Sequence, residues 1–141
     1  MSVESVRERV QRILTEEYGQ VIVDQDGDFV INNGSARIFI SVTEIKLGVV
    51  VKLYSPLLRN VPTSADVFKW VATEGQNRWF AHATLLEQDD ATCHITWEHD
   101  LLGDYLDREE LLHAVVAVAA GADDLDDKVQ KMFGGKRASD R

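Results

Sequence analysis

The chain has 141 residues, with 15 Lys and Arg against 24 Asp and Glu, a net charge of -9, and 45% hydrophobic residues. That length fits one domain, which buries roughly two thirds of the surface its unfolded chain exposes and so needs no disulfide or metal to hold a core. The acid surplus argues against nucleic acid, since no excess of cations is available to displace counterions from phosphates. It argues equally against an anionic membrane surface.

A single cysteine, Cys93, excludes an internal disulfide and a thiolate metal cluster. No apolar run approaches about 18 residues, and the opening MSVESVRERV lacks the apolar centre of a signal peptide, so the expected location is the cytoplasm.

Val3, Val6, Val10, Ile13 and Leu14 recur at helical spacing among Glu and Arg residues, with Ser2 placed to cap the helix and Gly19 to end it. The period then changes. Val21–Val23 and Phe29–Ile31 read as strands joined by the turn Asp24-Gln25-Asp26-Gly27-Asp28, and Asn32-Asn33-Gly34-Ser35 is a second hairpin turn. From Ala36 to Thr43 the chain alternates, with Ala36, Ile38, Ile40 and Val42 on one face and Arg37, Phe39, Ser41 and Thr43 on the other. After a looser connection at 44–48, Val49–Tyr54 is a further strand expected to stop before Pro56.

Pro62-Thr63-Ser64 starts a second helix that carries Val67, Phe68, Trp70 and Val71 and is expected to end at Gly75. A hairpin centred on Asp89-Asp90 follows. It sets Ala83 opposite Ile95 and Leu85 opposite Cys93, with Trp97 on the same apolar face and His82, Thr84, His94 and Thr96 on the other. Asp107 and Glu110 form the capping box of a third helix with a broad apolar stripe, which Gly121 is expected to interrupt before a continuation to Phe133. Residues 1–135 are therefore read as one domain and 136–141 as a flexible polar tail. The order α-β-β-β(β)-α-β-β-α predicts an α+β fold with a twisted antiparallel sheet packed by helices.

Little in this sequence points to catalysis. A calcium loop counted from Asp24 would need Gly at its sixth position and Glu at its twelfth, where Phe29 and Ser35 stand, so Asp24–Asp28 reads as a solvated turn. His82, His94 and Glu98 are of the right types to hold zinc, but their spacing does not demand it. Cys93 lies on an apolar face, where a thiol behaves as a small hydrophobe. No G-x-S-x-G, no phosphate-cradling glycine loop and no G-x-G-x-x-G is present. The acidic run Asp123, Asp124, Asp126 and Asp127 is a solvated helix face, or a landing site for a basic partner.

What remains points to recognition. Phe39 on the polar side of its strand and Trp79 at a helix-to-strand junction are aromatics suited to an interface. The strand backbones at 21–24 and 92–98 are candidate edges for an added strand. The candidate partner-binding residues are Phe39, Trp79, Thr92, His94 and Thr96, with no catalytic, cofactor-binding or metal-binding residue expected and no cofactor. An alternative is a small-molecule pocket between the sheet and the helix at 107–120, where Ala114, Ala117, Ala119 and Ala120 are small.

DGDFVI at 26–31, ARIFISV at 36–42, VVVKLYSPLLRNVP at 49–62 and HDLLGDYLDREELLHAVVAVAAGADDLDDKVQKMFGG at 99–135 resemble the bacterial YbjN-like domain, which is frequent in actinobacterial chains and related in fold to type III secretion chaperones. SPLLRNVP and LLGDYLD are the most specific pieces, and 69–80 matches least well. The resemblance implies a type III secretion chaperone-like α+β fold, a homodimer, and a non-enzymatic, chaperone-like role in holding a partner polypeptide.

Overall fold

A computed structural model describes residues 2–140; Met1 and Arg141, the outermost residues of the expected domain and tail, lie outside the described residues. The elements are α1 (Val3–Tyr18), β1 (Ile22–Val23), β2 (Phe29–Asn33), β3 (Ala36–Ile45), β4 (Gly48–Pro62), α2 (Ala65–Ala72), β5 (His82–Glu87), β6 (Thr92–Leu102) and α3 (Arg108–Phe133). The six strands form one antiparallel sheet in the order β1-β2-β3-β4-β6-β5. The expected α+β class and element order are those of the structure, with four strands before α2.

Alternation decides which face is covered. Ile38, Ile40, Val51, Leu53, Ile95 and Trp97 point inward in register and are buried, against Val6, Val10 and Leu14 of α1 and Leu111, Val115 and Val118 of α3. Apolar contact of this kind is the main favourable term in the fold. Each helix starts on the cap its sequence supplies: Ser2 Oγ accepts from Ser5 N, Ser64 Oγ from Val67 N and Asp107 Oδ1 from Glu110 N. Arg108 ties α3 to the end of α1 by pairing with Glu16 and Glu17, 3.0 Å each.

Several sequence expectations change; α2 stops at Ala72, short of the expected Gly75, which falls in a separate 3-10 turn. First, β4 does not stop before Pro56 but runs to Pro62. β3 leaves it at the Phe39–Tyr54 pair, so Pro56 falls where β4 has lost one neighbour and a missing N–H costs no ladder bond. Irregularities between Pro56, Leu58 and Val61, with Asn60 at φ 55°, carry the strand past the proline.

Second, the β5–β6 hairpin pairs Ala83 with Trp97 and Leu85 with Ile95. This is two residues away from the expected register, because Asp89 Oδ1 holds the amides of Ala91 and Thr92 and lengthens the turn. A shift of two leaves every side chain on its expected face.

Third, β6 lies between β4 and β5, so the backbone at 92–98 is no edge; the free edges are β1 and β5. Fourth, α3 is continuous through Gly121. A Cβ there would stand 2.6 Å from Trp97 Nε1, so this glycine admits the indole and does not end the helix.

Residues 136–140, read from sequence as a loose tail, have backbone and side-chain partners. Arg59 and Lys136 exchange both backbone hydrogen bonds (2.7 and 2.8 Å), forming a one-residue ladder on the side of β4 that β3 has left. Asp140 Oδ2 accepts from Gln130 Nε2 and Arg137 N, and Arg137 also pairs with Asp127.

A bare sheet face, a free edge and an apolar groove

Among the described residues no helix covers the outward face of the sheet, and the buried residues of all three helices join the inward strand residues in one core. One row across that face runs Ile22–Val30–Phe39–Tyr54–Glu98–His82. Phe39 stacks on Tyr54 with ring centroids 5.1 Å apart, and Tyr54 donates its hydroxyl proton to Asp28 Oδ2 at 2.5 Å. Burial first, then that hydrogen bond and the charges of Asp28, Asp24 and Asp26, push the phenol well above its ordinary range. Lys52 bridges Glu98 (3.5 Å) and Asp100 (3.8 Å) in the adjoining rows.

Of the candidate partner residues, Phe39, Thr92, His94 and Thr96 project from this face, but they are not one cluster. Thr92 Oγ1 is engaged with the Gln88–Asp89 turn, and His94 Nδ1 accepts the Asn60 amide at 3.2 Å. Thr96 is buried in the row between Pro56 and Thr84. Trp79 is elsewhere, 88% exposed in the loop before β5, on the side of α3.

The zinc-type residues are not gathered either. His82 faces Glu98 across the ladder while His94 faces Leu86, and no group of three His, Cys, Asp or Glu among the described residues is placed to hold a metal ion. Asp24 Oδ1 is taken by the amides of Asp26 and Asp28, both at 2.9 Å, the arrangement of a hairpin turn. No helix is long and apolar enough to cross a membrane.

At the β1 edge, Ile22 is 56% and Val23 47% exposed. Asp24 N donates to Asp28 O, so by the alternation of an antiparallel ladder Ile22 also bonds inward to β2, and the N–H and C=O of Val23 point away from the sheet. That is an apolar strand edge whose outward backbone groups have no partner among the described residues.

A groove lies between β6 and the first half of α3, where the sequence alternative set a pocket between the sheet and the helix at 107–120. One part of it, about 640 Å³, is walled by Phe80, His99, Leu101, Ala114, Val116 and Ala117. Phe80 overhangs it, edge-on to His99 at 6.1 Å. Burial, aided by His82 and opposed by Asp100 and Glu110, holds the His99 imidazole below its ordinary range. The sequence signal was the small-residue stretch. Ala114 and Ala117 line this groove and Ala120 its extension, while Ala119 belongs to the core.

A family model described as T3SS (YopN, CesT) and YbjN peptide-binding chaperone 1 matches residues 4–141. The chain belongs to this peptide-binding chaperone family. Solved structures agree on the fold. The chain is similar to the Yersinia pestis type III secretion chaperone SycH, solved with a stable fragment of YscM2 (TM-score 0.53, 10% identity, 86% of this chain and 97% of that one). It is also similar to E. coli YbjN, described as a putative transcription regulator (TM-score 0.59, 10% identity, 86% and 92%). A third match is the ExsC–ExsE complex (TM-score 0.61, 14% identity, 86% and 93%). No curated protein sequence matches the chain.

Proposed function

We propose that this protein is a non-enzymatic chaperone that holds an extended segment of a partner polypeptide along its β1 edge. The observation that carries the reading is Val23: an exposed apolar residue on an edge strand whose own N–H and C=O face outward. An incoming strand gains main-chain hydrogen bonds there and apolar contact with Ile22 and Val23. Membership of a peptide-binding family supports it, as do relatives solved with polypeptide partners. Such an edge otherwise invites uncontrolled pairing, which gives a physical reason for a dedicated occupant.

The test is affinity enrichment from the native cell with mass spectrometry, comparing the protein with Val23→Pro. Proline removes an outward donor and leaves the ladder to β2 intact. A specific polypeptide retained by the protein and lost in the variant is the expected result. Equal retention by both removes β1 as the seat.

A further inference from the structure

We propose that the groove between β6 and α3 is a second peptide seat, taking an extended segment of about six residues with a large apolar side chain beneath Phe80 and a Lys or Arg beside Glu110. The inference shares with the β1 reading only the premise that a polypeptide is bound.

Length is the first argument. The 640 Å³ region shares Ala117 with a second region of about 610 Å³ bounded by Trp79, Trp97, Gly121 and Asp124. On the opposite wall, Phe80 gives way to Trp79 and His99 to Trp97. The groove therefore follows α3 from Glu110 to Asp124, about 21 Å at ~1.5 Å per residue. An extended chain covers that in about six residues, at ~3.3 Å each. A compact small molecule would fill one end only.

The floor is the second argument. Ala117 and Ala120 carry only a methyl group, which lets a backbone lie close against the helix. The walls are aromatic and exposed, with Trp79 at 88% and Phe80 at 64%. Phe80 is held at φ 64°, a left-handed conformation that bulky residues rarely adopt. Such backbone strain clusters at ligand clamps.

Charge is the third. At the far end Asp124 is neutralised by Arg78 (2.7 Å) and Lys128 (3.5 Å). At the near end the Glu110 carboxylate has no ion-pair partner among the described residues, burial disfavours a charge on His99 beside it, and the chain as a whole carries -9. A cation at the Glu110 end meets the groove's one uncompensated carboxylate. A second copy of this chain would bring another -9.

The experiment uses the full chain, 15N-labelled, titrated with the acetylated, amidated hexapeptide Lys-Leu-Ala-Phe-Ala-Leu. The indole N–H signals of Trp79 and Trp97 should move, while that of Trp70, which lies outside the groove, stays fixed. Glu110→Lys, a change on an exposed helix start, should weaken binding about tenfold, as should Glu in place of the peptide's Lys. Ala117→Met, which fills the floor, should weaken it as much.

Movement at Ile22 and Val23 with the indoles fixed overturns this seat and leaves the β1 reading standing. Absence of any shift overturns this seat, while the β1 reading is judged separately by its own Val23→Pro comparison. If Lys-Leu-amide binds as tightly as the hexapeptide, the groove is a small-molecule pocket and the segment is overturned. Equal binding after Glu110→Lys and after the peptide's charge reversal overturns the choice of a basic partner.

Discussion

Two side chains on the inward face, Trp97 and Ser55, face each other across the β4–β6 ladder, and each lacks a hydrogen-bond partner for its buried polar atom among the described residues. Ser55 is small where the indole is large, and Gly121 completes the clearance from the helix side. Gly121→Ala sets two effects against each other. Helix propensity gains about 1 kcal/mol, but the new Cβ would stand 2.6 Å from an indole fixed in the core. Overpacking of that kind costs about 1–3 kcal/mol, so urea denaturation should show a net loss of stability. Ser55→Ala keeps the clearance and removes an unpaired hydroxyl, so the same measurement should show no loss and a gain of up to about 1 kcal/mol.

Both residues were legible only by class. Trp97 was read as core from its alternation with Cys93 and Ile95. Gly121 was read as a breaker because its true reason is a contact 24 positions away in sequence, which no local pattern carries.

Elements were legible where one period decides them. The capped starts at Ser2, Ser64 and Asp107, and the β3 alternation, all follow from local physics. The extent of β4 was not, because whether Pro56 ends a strand depends on whether a neighbour needs its N–H, and that is a property of the sheet. The place of the groove was legible from the alanines of α3, but its aromatic wall of Phe80 and Trp79 was not, because that wall comes from a loop distant in sequence.

The segment after α3 gives an element-scale prediction. Gly134 and Gly135 both have positive φ, and a Cβ on Gly135 would stand 2.7 Å from Arg59 O, so the paired glycines turn the chain back onto β4. Side-chain and backbone hydrogen bonds from Arg137, then one from Gln130, hold the Asp140 carboxyl well below its usual range. A depressed carboxyl favours the docked arrangement above its ordinary pKa of about 3.8, and that contribution is lost as pH falls below it. The amide resonances of Arg59 and Lys136 should therefore move toward random-coil positions on acidification, and in Asp140→Asn they should already do so at pH 7.

At the scale of the molecule, all three helices sit on one side of the sheet and the other side is bare. The proposed homodimer has an apolar surface available there, in the stacked Phe39 and Tyr54. Light scattering on the eluting peak should give twice 15.8 kDa at micromolar concentration; the single value would remove the dimer. Because each copy carries -9, added salt should strengthen any such pairing by screening. It should weaken the binding of a basic peptide.

The strand order has a kinetic consequence. The meander β1–β4 and the hairpin β5–β6 each close over short loops, but they join along the β4–β6 ladder, whose partners lie from 30 positions apart (Pro62 with Thr92) to 52 (Val50 with Leu102). Loop-closure entropy delays pairing at such separation. During synthesis the meander is complete some thirty residues before its partner strand leaves the ribosome, so a nascent chain carries β4 with one side open. The seam between the two halves is where this protein is most exposed to misassembly, and refolding should show the β4–β6 amides acquiring protection last.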